Sequence, residues 1–389
     1  MPADRDVPRG EGGLALPGEL GASLEALVRS VSPGAVLEEV EPLAPDAAAA
    51  TGTDEEKGLG YGRPLRLTLR EPDGRRRFLV FRTQTANEFG HDRRADRVEG
   101  AVLAYDLFGR IPGHVRALDV GAIGEGGRLV SLRGTGEPYL VTDWAEGSLY
   151  ADDLRRLARE GTAGSWDLAR ADALAAWLVR LHAHGVDDPP AWRRAVRDLL
   201  GHGEGIFGMV DGYPPDAPGA PPARLRAIEE RCLAWRWRLR GRRHRLARTH
   251  GDFHPFNVVF ARPEPGGDAT RFAVLDASRG GQGDPADDLT ALSVNYVFFA
   301  VEHPGAWGRA LGPLWHRFWS RWLEATGDLE VLETAPPFLA WRALVVASPR
   351  FYPHLPAHAR DLLLRLAERA LDAGRLDLHL PDALLAEAS

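Results

Sequence analysis

Hydrophobic positions change their spacing near Gly147, from short strand-like runs before it to helical stripes after it. The first stretch opens with Leu20, Leu24, Leu27 and Val31 at helical spacing, which predicts a short amphipathic helix. Strand-length segments follow at Ala35 to Leu43, Pro64 to Arg70 and Arg77 to Gln84. Pro72-Asp73-Gly74 between the last two is a turn signal, so Leu65–Leu69 and Phe78–Phe81 are expected to pair as an antiparallel hairpin. Asp92 to Phe108 reads as a helix with Ala95, Val98, Val102 and Tyr105 on one face. Short strands are expected at Val115–Ile123, Arg128–Leu132 and Tyr139–Trp144.

Beyond Gly147 the stripe Leu174, Trp177, Leu178 and Leu181 marks a long helix ending near Gly185, and Leu225, Ile228, Cys232, Trp235 and Leu239 mark a second. Between them, the Gly- and Pro-rich run from Gly201 to Pro222 reads as a surface loop. A β island at Val258–Phe260 and Phe272–Leu275 interrupts the helices, which resume from Ala286. The layout is α+β: an extension over 1–33, a small, mostly antiparallel sheet lobe over 34–145 and a larger helical lobe over 146–389.

Composition removes several chemistries. Of 48 basic residues only Lys57 is a lysine, in an Ala/Gly/Thr/acidic stretch. Schiff-base catalysis and a Gly-Lys-Ser/Thr phosphate loop are therefore poorly supported. Codon bias is the cheapest account of the remaining arginines, and a net charge of -7 argues against a general nucleic-acid binder. Cys232 is the sole cysteine, which excludes a disulfide framework and a cysteine metal site. No apolar run is long enough for a membrane span, and the N-terminus lacks a signal-peptide pattern; a soluble, cytoplasmic protein is expected.

The informative stretch is Thr249-His250-Gly251-Asp252-Phe253-His254-Pro255-Phe256-Asn257. Asp276 follows Asn257 by 19 residues, and Gly283-Asp284-Pro285 and Asp288-Leu289 come next. An Asp five residues before an Asn, in a loop entering a strand, can aim a carboxylate at a substrate hydroxyl and an amide at a metal. An Asp ending the neighbouring strand adds a carboxylate to that metal. Mg²⁺ takes a few such hard oxygens together with phosphate oxygens and water, and the division of labour is that of phosphoryl transfer.

In these residues the chain resembles the aminoglycoside phosphotransferase and choline kinase-like family of small-molecule kinases. The family pattern His-Gly-Asp-x-x-x-x-Asn, an apolar strand ending in Asp, and Gly-Asp-Pro-x-x-Asp-Leu stands here as HGDFHPFN, FAVLD and GDPADDL. The resemblance implies a protein-kinase-like two-lobed fold and ATP- and Mg²⁺-dependent transfer to a small-molecule hydroxyl. Asp252 would be the catalytic residue, Asn257 and Asp276 the metal ligands, and Asp288 a brace for the catalytic loop. Nucleotide would lie between the lobes, its adenine against Tyr139–Trp144. Phe256 and Ala277 depart from the residues relatives commonly carry there, glycine and an aromatic.

Kinase-like folds place a cation on the third strand and pair it with a Glu on the next helix, to hold the nucleotide phosphates. Arg82 ends the corresponding strand here, and Glu99 follows 17 residues later. Arg is a planar fork where Lys is a point charge, and Lys57, in the candidate phosphate loop 46–60, is the alternative clamp. The glycines of that region, Gly52, Gly58, Gly60 and Gly62, form no compact fingerprint. The missing strand lysine also motivates a second reading, a pseudokinase-like regulatory or binding protein with little or no turnover. Asp252, Asn257 and Asp276 weigh against it. Arg242, Arg243 and Arg245 read as a basic cluster favoured by a helix C-terminus.

Overall fold

The computed structural model describes residues 18–43, 64–262, 269–277 and 279–387. It divides into two compact units, Met1–Val141 and Thr142–Ser389.

In the first unit, helix α1 (Gly18–Val31) packs Leu24 and Val28 against a three-stranded antiparallel sheet ordered β1 (Val36–Pro42), β2 (Leu65–Arg70), β3 (Arg76–Phe81). The expected hairpin is present: Leu65 pairs with Phe81 and Arg70 with Arg76. Gly74 takes the left-handed φ of 84° that its turn requires. Alternation along β3 turns Leu79 and Phe81 toward the core and leaves Phe78 and Val80 exposed. Helix α2 (Arg94–Phe108) follows, and then a small hairpin, β4 (Gly121–Ile123) with β5 (Leu129–Ser131). The stripe expected on α2 is not a core face, since the helix buries no residue and Val98 is 40% exposed. Nor is Tyr139–Trp144 a strand. It pairs with nothing among the described residues, and its apolar side chains, Tyr139 at 90% and Trp144 at 83%, lie in solvent.

The second unit is helical around two small sheets. Its elements are β6 (Ser148–Leu149), α3 (Tyr150–Glu160), α4 (Ser165–His182), α5 (Pro189–Gly201), α6 (Ile206–Asp211), α7 (Pro222–Arg240), β7 (Ala247–Arg248), β8 (Val258–Phe260), β9 (Phe272–Val274), β10 (Gln282–Gly283), α8 (Pro285–Val301), α9 (Gly312–Thr326), α10 (Val331–Ala347), α11 (Ala357–Ala373) and α12 (Leu380–Ala386). Helices α8 and α10 are buried almost all round and pack on each other at the centre, as helices apolar on every face must. The predicted stripe of α7 is its buried face, residue for residue. The run 201–222 is not a surface loop. It contains α6, buries Ile206, Met209 and Tyr213, and the Tyr213 hydroxyl donates to the Leu344 carbonyl at 2.6 Å. The arginine cluster is not simply a helix-end patch either: Arg245 is buried and forks onto Asp284, with Asp328 beside it.

Two short antiparallel sheets position the site. β7 pairs with β10, and β8 lies between β6 and β9. Residues 249–257 are thereby anchored at both ends, while Asp276 follows β9 and Asp288 sits in the first turn of α8.

Candidate active site

The loop 249–257 turns sharply at Gly251, whose φ is +81°. A Cβ there would come within 2.7 Å of the Gly280 carbonyl oxygen, so the position needs glycine. Asp288, fully buried, holds the turn: it accepts from the backbone N–H of His250 at 2.8 Å and of Gly251 at 2.9 Å. Its third donor is the His182 Nε2, at 3.1 Å. Trp322 Nε1, which can only donate, points at His182 Nδ1 at 3.2 Å. Nδ1 must then be the acceptor and Nε2 carry the proton toward Asp288. Burial pushes the Asp288 carboxyl upward, but the His182 bond and the two backbone donors outweigh it and hold the group below its ordinary range.

Asp252 stands at the apex of the same loop. Its Oδ1 accepts from Arg279, in a close contact, and from Arg342 Nη1 at 3.1 Å. Among the described residues, its Oδ2 has only the longer contacts of His254 Nε2 and Asn257 Nδ2, both 3.5 Å. Burial raises the Asp252 carboxyl, but His254, Arg342 and Arg279 together overcome that and hold it far below the usual carboxylate range. The two guanidiniums are themselves fixed. Both donate to the Gly251 carbonyl, at 3.1 and 3.2 Å, and both lie over the Trp341 ring, at 4.6 and 3.9 Å. Arg342 also pairs with Asp287, which stands one residue before the brace Asp288.

Asn257 is placed by its backbone and its amide. Its carbonyl accepts from Leu275 N–H at 2.8 Å, and its Nδ2 donates to the backbone oxygens of Asp252 (3.1 Å) and Asp276 (3.4 Å). The amide oxygen consequently faces away from those two carbonyls. Asp276 has a φ of 50°, in the left-handed region, and its side chain is exposed; Asp is among the few residues that visit this region. Asp252, Asn257 and Asp276 thus come together. His250 packs edge-on to Trp177 and Phe253, and Trp177 stacks on Phe253 at 5.2 Å, so this tryptophan supports the loop from beneath. His254 Nδ1 accepts from Phe256 N–H at 3.2 Å, capping the turn into β8.

The N-terminal candidates are placed differently. Arg82 and Glu99 are both exposed, and no ion pair or hydrogen bond joins them among the described residues. Lys57 and the candidate phosphate loop 46–60 lie outside the described residues.

With this geometry in place, the pattern of one protein family, described as the phosphotransferase enzyme family, matches residues 104–324 of the 389. The chain belongs to the phosphotransferase enzyme family. The match spans every residue of the C-terminal site named above except Trp341 and Arg342. Among curated proteins, none matches the chain. Solved structures are similar at low identity. A glucosamine kinase is 16% identical over 97% of this chain and 100% of its own, with a TM-score of 0.39. A second crystal form of glucosamine kinase is 18% identical and aligns over 58% of each chain, at 0.38. An amicoumacin kinase in complex with AMP-PNP, Ca²⁺ and Ami is 15% identical over 83% of this chain and 90% of its own, at 0.38.

Arg279, Arg342, Trp341, Asp287 and Trp322 are the site residues that the sequence did not single out. Asp287 sits inside the quoted GDPADDL segment and was legible there as an acid one residue before the brace. Arg279 follows Asp276 by three residues, a proximity that could have nominated it. Arg342 carries no local signal.

Proposed function

We propose that this phosphotransferase transfers the terminal phosphoryl group of ATP, with Mg²⁺, to a hydroxyl of a small molecule, in a two-lobed protein-kinase-like fold. The observation that carries the reading is the division of labour between the two Asp252 oxygens. Oδ1 is committed to Arg279 and Arg342, whereas among the described residues Oδ2 has only contacts of 3.5 Å. Oδ2 is thus the oxygen available to an acceptor hydroxyl. An ionised Asp252 would accept that hydroxyl's hydrogen bond, aim its lone pair and take its proton late, as the new O–P bond forms and the bond to the leaving ADP breaks.

Asn257 and Asp276 fit a hard cation. Both offer oxygen donors, and the amide nitrogen of Asn257 is already turned to backbone carbonyls, so its oxygen is the atom left to face an ion. A bound Mg²⁺ would offset charge on the nucleotide phosphates. Arg82, which the structure does not join to Glu99, would hold the α- and β-phosphates, with Lys57 as the alternative cation.

The test is ADP release from ATP and Mg²⁺ against a panel of sugars, amino alcohols, other hydroxylated metabolites and aminoglycosides. Acceptor-dependent release that Asp252→Asn removes, with nucleotide affinity kept, is the expected result. Turnover like that of the unmodified chain in Asp252→Asn overturns the assignment.

A further inference from the structure

Away from the catalytic loop, His316, His379 and Asp382 bring their ligand atoms within 4.8 Å of one another. His316 lies on α9, and His379 and Asp382 lie at the turn into α12. We propose that these three side chains form a second divalent metal site, for a borderline ion such as Zn²⁺, which ties the C-terminal helix to α9.

The donor set is the first argument. Two imidazoles and one carboxylate suit Zn²⁺ and its neighbours among the transition metals, whereas Mg²⁺ prefers oxygens alone. The spacing is the second. Asp382 Oδ2 lies 3.0 Å from His316 Nε2 and 3.0 Å from His379 Nδ1. Bonds of about 2.0–2.2 Å to a tetrahedral ion separate neighbouring ligand atoms by roughly 3.3 Å, so small side-chain movements would admit the ion. The third argument is the support behind the carboxylate. Trp307 Nε1 donates to Asp382 Oδ1 at 2.7 Å. That bond comes from outside the three ligands and fixes the carboxylate's orientation, as outer-shell partners do in metal sites. The His379 side chain is 79% exposed, which leaves water access to a fourth coordination position.

Without a metal, the same three groups can form a plain hydrogen-bonded cluster in which both imidazoles donate to one carboxylate. Titration of the metal-free, untagged full-length chain with Zn²⁺ alone separates the two, read by calorimetry and by the thermal midpoint, with Co²⁺ absorption as a report on coordination. A metal site gives one Zn²⁺ per chain, a raised midpoint, and Co²⁺ bands of a low-coordinate nitrogen and oxygen set. His379→Ala removes an exposed side chain, so the metal-free variant should melt with the metal-free parent. Its Zn²⁺ affinity should fall at least about tenfold, the lower end of what loss of even an outer-shell partner costs. His316→Ala should do the same. Absence of saturable one-to-one binding, or binding by His379→Ala with undiminished affinity, overturns the proposal. Neither outcome bears on the catalytic reading, because the two sites share no residue.

Discussion

The loop 249–257 and the stretch from β3 to α2 carry residues assigned to one reaction, yet they are built in opposite ways. At the loop, Asp288 of α8 meets three donors in full burial and Asp252 is gripped by two guanidiniums. In the other stretch Arg82 and Glu99 are exposed and, among the described residues, unjoined, the one just past the end of β3 and the other on a helix that buries no residue. The difference separates two requirements. A carboxylate that must aim a hydroxyl has to be oriented before the reaction, and only a buried network fixes it. A cation that meets a charged nucleotide can stay in water, where a preformed ion pair would add little.

The sharpest way to break this comparison is at the loop. Asp252→Asn keeps the shape and removes the charge, and kcat should fall by about 10²–10⁴, the range for a positioned proton acceptor, with nucleotide affinity kept. Asp288→Ala acts through the fold instead. It strands the His250 and Gly251 N–H groups and the His182 Nε2–H without an acceptor, at about 1–3 kcal/mol for each buried group. A loss of about 3–5 kcal/mol in urea unfolding is expected, and Asp288→Asn, which keeps one acceptor oxygen, should lose less.

The loop was legible because its requirements are local. Gly251 needs its positive φ, and Asp252, Asn257 and Asp276 keep an order and spacing that the two short pairings β7–β10 and β8–β9 translate into proximity. The hairpin β2–β3 was legible for the same reason, through its turn. Arg342 was not, because nothing near it in sequence says which of many arginines will lie under Asp252 and be only 5% exposed. The run 201–222 misled through its glycines. Gly208 sits where a Cβ would strike the Gly203 carbonyl at 1.9 Å, so that glycine serves close packing and not a loose loop. Tyr139–Trp144 has the apolar content of a strand, but a strand also needs a partner edge, and none pairs with it here.

The guanidiniums offer a smaller effect with a distinctive signature. Arg279→Ala removes one charge-assisted bond to Asp252, worth about 1.5–3 kcal/mol, so kcat should fall on the order of tenfold to a hundredfold. The sign with pH follows from the depressed Asp252 carboxyl. Its contribution to stability is present above the unfolded pKa of about 3.9 and is lost as pH falls through the lower folded value. The unmodified chain should therefore show no acid limb from Asp252 near neutrality. Arg279→Ala should move that limb upward in a pH profile of kcat. An unshifted limb with reduced kcat would mean that Arg279 acts by shape alone.

The smallest effect belongs to the exposed side of the comparison. A charge at an exposed strand end is screened by water and salt, and such contacts are commonly worth about 0–1 kcal/mol, so Arg82→Ala should weaken ATP–Mg²⁺ binding only a few-fold. Salt should erode that difference, and Arg82→Lys should recover part of it if the guanidinium acts mainly as a point charge. Lys57→Ala is the control that gives the measurement its meaning. Should Lys57→Ala cost more nucleotide affinity than Arg82→Ala, the clamp belongs to the segment around residue 57. The exposed placement of Arg82 and Glu99 would then reflect a strand end and helix that take no part in holding phosphate.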